Sequence, residues 1–464
     1  MKNTFLKTIQ TGIWIGSAVL LLAGCDSFTD VELPKSQLTA AAVFEDRITA
    51  TAAMTDIYSK IRDNGLMTGY PSGLSNQLGL YTDELTYYGQ PGTSTFNFAN
   101  NALLPTGVEV AELWNSSYSQ VYAANAVIEG VQNAANLPAA DRDRLTGEAL
   151  FVRALLHFYL ANTFGDVPYI KTTDYTLNRV AQRRTAPEAF TLAKEDLERA
   201  IALLPETYAT AERVRPNKFA AYALLARVYL YLEQWPEASN AASAVLNRSE
   251  LYIYESDLDK MFLKESTATI WQLMPGMAGD NTREAPTFSF EAAPPPISAL
   301  SAALLGAFEP GDLRKTHWVR TITDGTDSYA HAYKYKQAVN NGSSTEYSIV
   351  LRLAEQYLIR AEARAGQGDL IGAKEDLNKV RHTAGLEDTT AESAAEVVDA
   401  VLRERRVELF CEFGHRFLDL KRSGRLDAAL QLLKPGWSHS DQLFPLPQGE
   451  LLLNPNLAPQ NEGY

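Results

Sequence analysis

The stretch PNKFAAYALLARVYLYLEQWPEASNAASAVLN, residues 216–247, reads as two helices joined by a turn next to Trp235. Ala226, Tyr229, Trp235 and Ala238 fall where paired antiparallel helices interlock small side chains with large ones. A second copy follows much later in AEQYLIRAEARAGQGDLIGAKEDLNKVR, residues 354–381. There Ala361 and Ala373 repeat the separation of Ala226 and Ala238, and Gly366 and Gly368 mark the turn. Small residues at these positions let the two helices of a pair approach closely.

The spacing resembles that of a tetratricopeptide (TPR) helix pair. Because the copies are not in tandem, the pattern predicts a mostly α scaffold of dispersed TPR-like pairs and not a simple solenoid. Apolar periodicity predicts further helices over Val43 to Ile61, Glu109 to Ala135, Asp141 to Thr163 and Pro187 to Leu204, the last with proline in its first turn. Residues 64–105 form a long Gly/Pro/Tyr-rich loop, too long to be a casual connection. Residues 251–346 lose helical periodicity, and the alternation of His331, Tyr333 and Tyr335 suggests short strands in an irregular insert. The expected divisions are an export signal over 1–24, a tether over 25–40, an N-terminal helical part over 41–250, the insert over 251–346 and a C-terminal helical part over 347–464. Residues 25–464 are expected to form one compact domain.

Lys2 and Lys7, an apolar run from Ile9 to Leu22, and Leu22-Ala23-Gly24-Cys25 make up a lipoprotein export signal with Cys25 as the acylated residue. The apolar run is shorter than the ~20 residues a membrane span needs. Only Cys25 and Cys411 are present, so with Cys25 acylated no disulfide can form. Asp26 resembles the inner-membrane retention signal of enterobacterial lipoproteins, which other lineages do not read, so the final membrane stays open at this point. A net charge of −14 argues against nucleic acid or an anionic lipid surface as a partner, since both need clustered Lys and Arg.

The chain has 22 Tyr and 6 Trp, many of them in the segments read as loops, where exposed rings usually bind something. Sugar C–H faces stack on Tyr or Trp, while Asn, Asp and Arg read hydroxyls. Two candidate ligand groups follow: Tyr81, Asp83, Tyr87, Tyr88 and Asn97, then Trp271, Arg283, Trp318, Arg320 and Tyr329. Trp235 is expected to be packing, and Trp437 could serve either role. Glycosidases use paired carboxylates, for which Asp83 with Glu84 and the glutamates of residues 404–425 are the candidates. No nucleophile elbow, phosphate-binding glycine loop, HExxH motif or Cys/His metal spacing accompanies them. No enzyme activity or cofactor is therefore expected and no metal site is assigned; structural calcium stays open, with no ligand-spaced acidic loop to support it.

ERRVELFCEFGHRFLDLKRSGR, residues 404–425, concentrates acidic residues, a cysteine and a histidine. Read as one helix, it places Glu404, Glu408, Cys411 and His415 on a common face, with Gly414 as the expected stop. Apolar residues on two sides imply burial, so the carboxylates need partners. Arg352, Arg360, Arg364 and Arg381, with Arg405 or Arg416, are the expected supply.

The lipobox, VELPKSQLTAAAVFEDRITATAAMTDIYSKI (31–61), RALLHFYLANTFGDVPYI (153–170) and the C-terminal runs LRLAEQYLIRAEARA, DLNKVRHTAGL, ERRVELFCEFGHRFLDLKR and LFPLPQGELLLNPNLAPQNEGY together resemble the SusD/RagB family of outer-membrane nutrient-binding lipoproteins. Glu404, Arg405, Glu408, Glu412, Gly414, Arg416 and Asp419 belong to the structural signature. The resemblance implies a TPR-like frame whose ligand surface comes from loops outside the helix pairs. It also implies a lipid-anchored lid, exposed at the cell surface, on a TonB-dependent transporter of the SusC type. Such a lid delivers an oligosaccharide, or in the RagB branch a peptide, without chemistry. A TPR-type protein-interaction scaffold is the competing class.

Overall fold

The computed structural model describes residues 40–464. Cys25, the export signal and the tether up to residue 39 lie outside the described residues. Residues 44–464 form one compact unit.

A run of antiparallel helices builds the frame. The first long one is α1 (Arg47–Asp63), capped by the Asp46 carboxylate, which accepts from the N–H groups of Ile48 and Thr49. Next comes α2 (Leu74–Tyr81), then a three-residue strand, β1 (Leu85–Tyr87). Two long helices follow, α3 (Val108–Gln132) and α4 (Ala139–Phe164). From Leu145 to Phe164 every residue of α4 is buried, as a helix surrounded on all sides must be. It stops at Gly165, whose φ of 77° suits a residue without Cβ. The helix α5 (Ala186–Leu203) begins with a reciprocal Thr185–Glu188 capping box.

The opening stretch forms α6 (Lys218–Tyr231) and α7 (Trp235–Leu246). Its distant copy forms α8 (Leu353–Gly366) and α9 (Leu370–Thr383). Although remote in sequence, the two pairs stack directly, α7 against α8. Ala226, Ala238, Ile359 and Ala363 share one buried cluster, with Trp235 packed against it. On the other side of α8, Ala361 meets Ala373, Leu377 and Val397. A Cβ on Gly366 would lie 3.0 Å from the Trp235 ring, so the small residue sets how closely the pairs meet.

The insert between the pairs carries four short strands: β2 (Thr269–Leu273), β3 (Ser298–Leu300), β4 (Val319–Thr323) and β5 (Ser328–Ala332). A sixth, β6 (Ser348–Arg352), leads into α8. All pair antiparallel in twos: β1 with β3, β2 with β6, β4 with β5. Residues 64–105 depart from the expected loop. The apolar residues Leu74, Leu78 and Leu80 wind into the fully buried α2, and a short helix covers Ser94–Ala99.

The 404–425 stretch is also not one helix. The helix α10 (Ala394–Glu408) ends at Glu408, and α11 (His415–Arg422) starts anew. Between them Cys411, Phe413 and Gly414 all adopt positive φ. Cys411 and His415 therefore do not extend the Glu404–Glu408 face. The backbone N–H of Phe413 instead donates to the Ser75 hydroxyl at 2.8 Å, tying this break to α2.

Candidate ligand-binding surface

The pairing of β1 with β3 brings the two sequence groups together. Leu85 sits opposite Leu300 and Tyr87 opposite Ser298, and the N–H of Tyr88 donates to the Ile297 carbonyl at 2.8 Å. The β4–β5 hairpin packs beside β3. Its turn is set by Asp324, whose carboxylate accepts from the N–H groups of Thr326 and Asp327, while Gly325 supplies φ 97°.

Across this junction Tyr88 meets Tyr329 edge to face, ring centroids 5.3 Å apart. Tyr88 is 42 % exposed, so the pair offers an aromatic face to solvent. Beside it, both Nη atoms of Arg320 donate to the Glu291 carboxylate at 3.1 Å, and the guanidinium lies 5.6 Å from the Tyr333 ring centre. His331, buried, packs edge to face against Tyr333. Flat rings, a planar cation and a carboxylate, brought together on and beside neighbouring strands, are the kinds of group that can stack on a sugar ring and bond its hydroxyls.

Other sequence candidates are corrected by their burial. Trp271 is fully buried between Phe151 and Tyr58, with its indole N–H donated to the Val214 carbonyl. Trp318 is fully buried against Phe262 and donates to the Leu258 carbonyl at 3.0 Å. Tyr81 is the hub of a core cluster with Phe98, Phe417, Trp437 and Phe444. None of these rings has a face for ligand. Asp83 is likewise buried, accepting from Arg406 at 2.7 Å and Arg416 at 2.8 Å. Burial pushes its carboxyl up, but the hydrogen bonds and charges of Arg416 and Arg406 outweigh that and hold it below the usual range.

Tyr87 turns its hydroxyl onto the Gln90 carbonyl, closing its own loop. Asn97 donates to Glu109 at 2.8 Å, which braces the start of α3. Arg283 joins a different grouping, pairing with Asp280 and lying 5.3 Å from the Tyr70 ring. Tyr333 and Glu291, absent from the sequence candidates, complete the surface. The signal for Tyr333 was its alternation with His331. Trp235 packs on the stack as expected, and Trp437 is buried.

The signature carboxylates are ion-paired. Arg352 holds Glu408 at 2.5 Å and Glu412 at 2.8 Å, Arg381 reaches Glu404, and Arg405 takes Asp419. Arg360 and Arg364 turn instead to Asp376. Two cations come from the insert, unforeseen in the sequence. Arg314 contacts Glu404 at 2.6 Å and Glu408 at 2.8 Å, and Lys334 meets Glu412 at 2.5 Å. Cys411 is buried, which pushes its thiol well up. Among the described residues no group of three or more His, Cys, Asp or Glu is placed to hold a metal ion.

A second concavity, about 620 Å³, lies between α3 and the C-terminal segment. Trp114, Tyr118, Tyr122, Ile170, Tyr175 and Leu453 are among its lining residues.

Two family models match: one described as starch-binding and associating with the outer membrane, over residues 79–230, and the SusD family model over 314–464. The chain belongs to the SusD/RagB family. A SusD-like protein of Formosa agariphila is 28 % identical over 426 aligned residues, covering 76 % of this chain and 81 % of that one. A second from the same organism is 24 % identical and covers 95 % and 96 %. A SusD superfamily structure from Bacteroides vulgatus ATCC 8482 superposes with a TM-score of 0.79 at 21 % identity, covering 91 % of this chain and all of that one. A laminarin-binding SusD-like protein superposes at 0.75, with 21 % identity and coverage of 91 % and 100 %. These structures share the fold, a mostly helical TPR-like frame. The class is a carbohydrate-binding one associated with the outer membrane, and among the described residues no helix is long and apolar enough to cross a membrane.

Proposed function

We propose that the protein captures an oligosaccharide at the cell surface and passes it, chemically unchanged, to a TonB-dependent transporter of the SusC type. A lipid on Cys25 holds it to the outer membrane, and no cofactor takes part. The observation that carries this reading is the solvent-facing Tyr88–Tyr329 pair beside Arg320, Glu291 and Tyr333, assembled from two segments distant in sequence. The carbohydrate-binding class and the laminarin-binding neighbour support it. The carboxylates that resembled an acid–base pair are engaged by arginines or, for Glu84, buried, which supports binding without hydrolysis.

The test is calorimetric titration with laminarin and a panel of neutral and charged polysaccharides, beside a search for released sugars. Saturable binding that Tyr88→Ala weakens supports capture; binding of no glycan, or turnover of any, overturns it. A peptide ligand is the second reading, favoured by the apolar 620 Å³ groove with Tyr175 72 % and Leu453 78 % exposed. Titration with mixed casein peptides separates the two.

A further inference from the structure

A cleft of about 390 Å³ opens among α10, α11 and the short helix Leu426–Leu430. In a chain carrying −14 it is locally basic. Arg403, Arg406, Arg416 and Arg425 line it, against Asp399 and Asp419. Both acids are already engaged, Asp399 by Arg425 and Asp419 by Arg405 and Arg422.

Three of these arginines have donors to spare. Arg406 and Arg416 share the single carboxylate of Asp83, so two cations face one anion. The Nε of Arg406 is buried and has no hydrogen-bond partner among the described residues. Arg416 spends Nε and Nη2 on Asp83, leaving Nη1 without a partner among the described residues. Arg403, one helical turn from Arg406, is exposed and makes no ion pair among the described residues. Burial works against the Arg406 cation, as does the charge of Arg416, and Asp83 and Glu84 offset this only in part. A guanidinium held partly out of water with some of its donors unused is costly, and a planar or tetrahedral oxyanion is the partner its fork fits. Leu402 and Leu420 form an apolar floor, so the cleft has a wall for a ring as well as donors for a charge.

We propose that this cleft is a binding site for the oxyanion of an acidic saccharide, a uronate carboxylate or a sulfate ester, with Arg403, Arg406 and Arg416 as its donors. The choice of a saccharide as carrier rests on the capture reading; the oxyanion site itself does not. The cleft's volume suits a single charged ring. Asp83 is the link to the aromatic surface: it ends two residues before β1, so the carboxylate that spaces Arg406 and Arg416 also anchors the strand leading to Tyr88.

The experiment is calorimetric titration of the full chain with sodium sulfate, sodium glucuronate and glucose, ionic strength being held constant with chloride. Either anion should bind saturably and glucose should not. Arg403→Ala should weaken anion binding about tenfold with a melting temperature within a degree or two of wild type, since Arg403 is exposed and makes no ion pair among the described residues. Sulfate binding alone assigns a sulfate ester, glucuronate alone a uronate, and both a site that accepts either. If neither anion binds, or if Arg403→Ala retains full affinity, the site does not exist. Tyr88→Ala should leave anion binding intact. Loss of glycan binding in that variant therefore bears on the capture surface, while loss of sulfate or glucuronate binding in Arg403→Ala bears on the cleft.

Discussion

Arg314, from the irregular insert, donates through Nη1 to Glu408 of α10 at 2.8 Å, with both side chains almost wholly buried. The same guanidinium binds Asp312 and Glu404, so one residue docks the insert onto the C-terminal frame. Burial pushes the Glu408 carboxyl up, yet the charges of Arg352 and Arg314 prevail and keep it below its usual range. Removing one partner of a buried pair strands the others. Arg314→Ala should cost about 3 to 5 kcal/mol, read as a lower denaturant midpoint. A loss under about 1 kcal/mol would mean that water replaces the guanidinium and that the network is not what docks the insert.

Tyr88 and Trp318 should part company under mutation. Tyr88→Ala and Tyr329→Ala should each weaken glycan binding about tenfold while leaving the melting temperature within a degree or two. Trp318→Ala should instead remove about 3 to 5 kcal/mol of stability, because the ring fills a sealed space and its N–H satisfies the Leu258 carbonyl. Equal effects of the two substitutions on melting would contradict the burial difference between the rings.

Glu84 makes stability depend on pH. Burial first, then the adjacent Asp83 charge, raise its carboxyl from 4.5 to about 8, with Arg416, Lys334 and Arg406 opposing. Between those values the unfolded chain gives up a proton that the folded chain keeps, so this group's contribution falls as pH rises and is lost by about pH 8. Glu84→Gln should therefore match wild type near pH 4 and exceed it by roughly 2 to 4 kcal/mol above pH 8. Melting curves across that range check the sign, and a gap that widens toward acid pH would refute it.

Gly414 combines a φ of 74° with a neighbour that a Cβ would strike, Leu78 Cδ1 at 2.3 Å. Gly414→Ala should cost about 2 to 4 kcal/mol, measured by chemical denaturation. A neutral outcome would show that α2 can shift without penalty.

The helix pairs were legible because their determinants are local: Ala226, Ala238, Ala361 and Ala373 at matched spacing, Gly366 at a turn, Thr185 with Glu188 at a cap. The aromatic surface was legible by half. Composition marks Tyr88 and Trp318 alike, and only the distant carbonyls of Leu258 and Val214 decide that the tryptophans turn inward. Arg314 and Lys334 escaped notice because their carboxylates lie many residues downstream, beyond any periodic signal. The break at Cys411 and Phe413 was hidden for a similar reason: neither residue favours positive φ, and Ser75 on another helix holds the bend.

The stacking of α7 on α8 also governs the order in which the chain can fold. Synthesis runs from the N-terminus, so Trp235 and Ala238 are made well before Ile359, Ala363 and Gly366, which cover them. Until the strands and loops in between have followed, α6 and α7 carry an uncapped apolar side. Closing that long loop makes the last step slow and cooperative. A chain truncated within the insert should thus be a sticky, half-built stack requiring a chaperone, not a smaller stable protein.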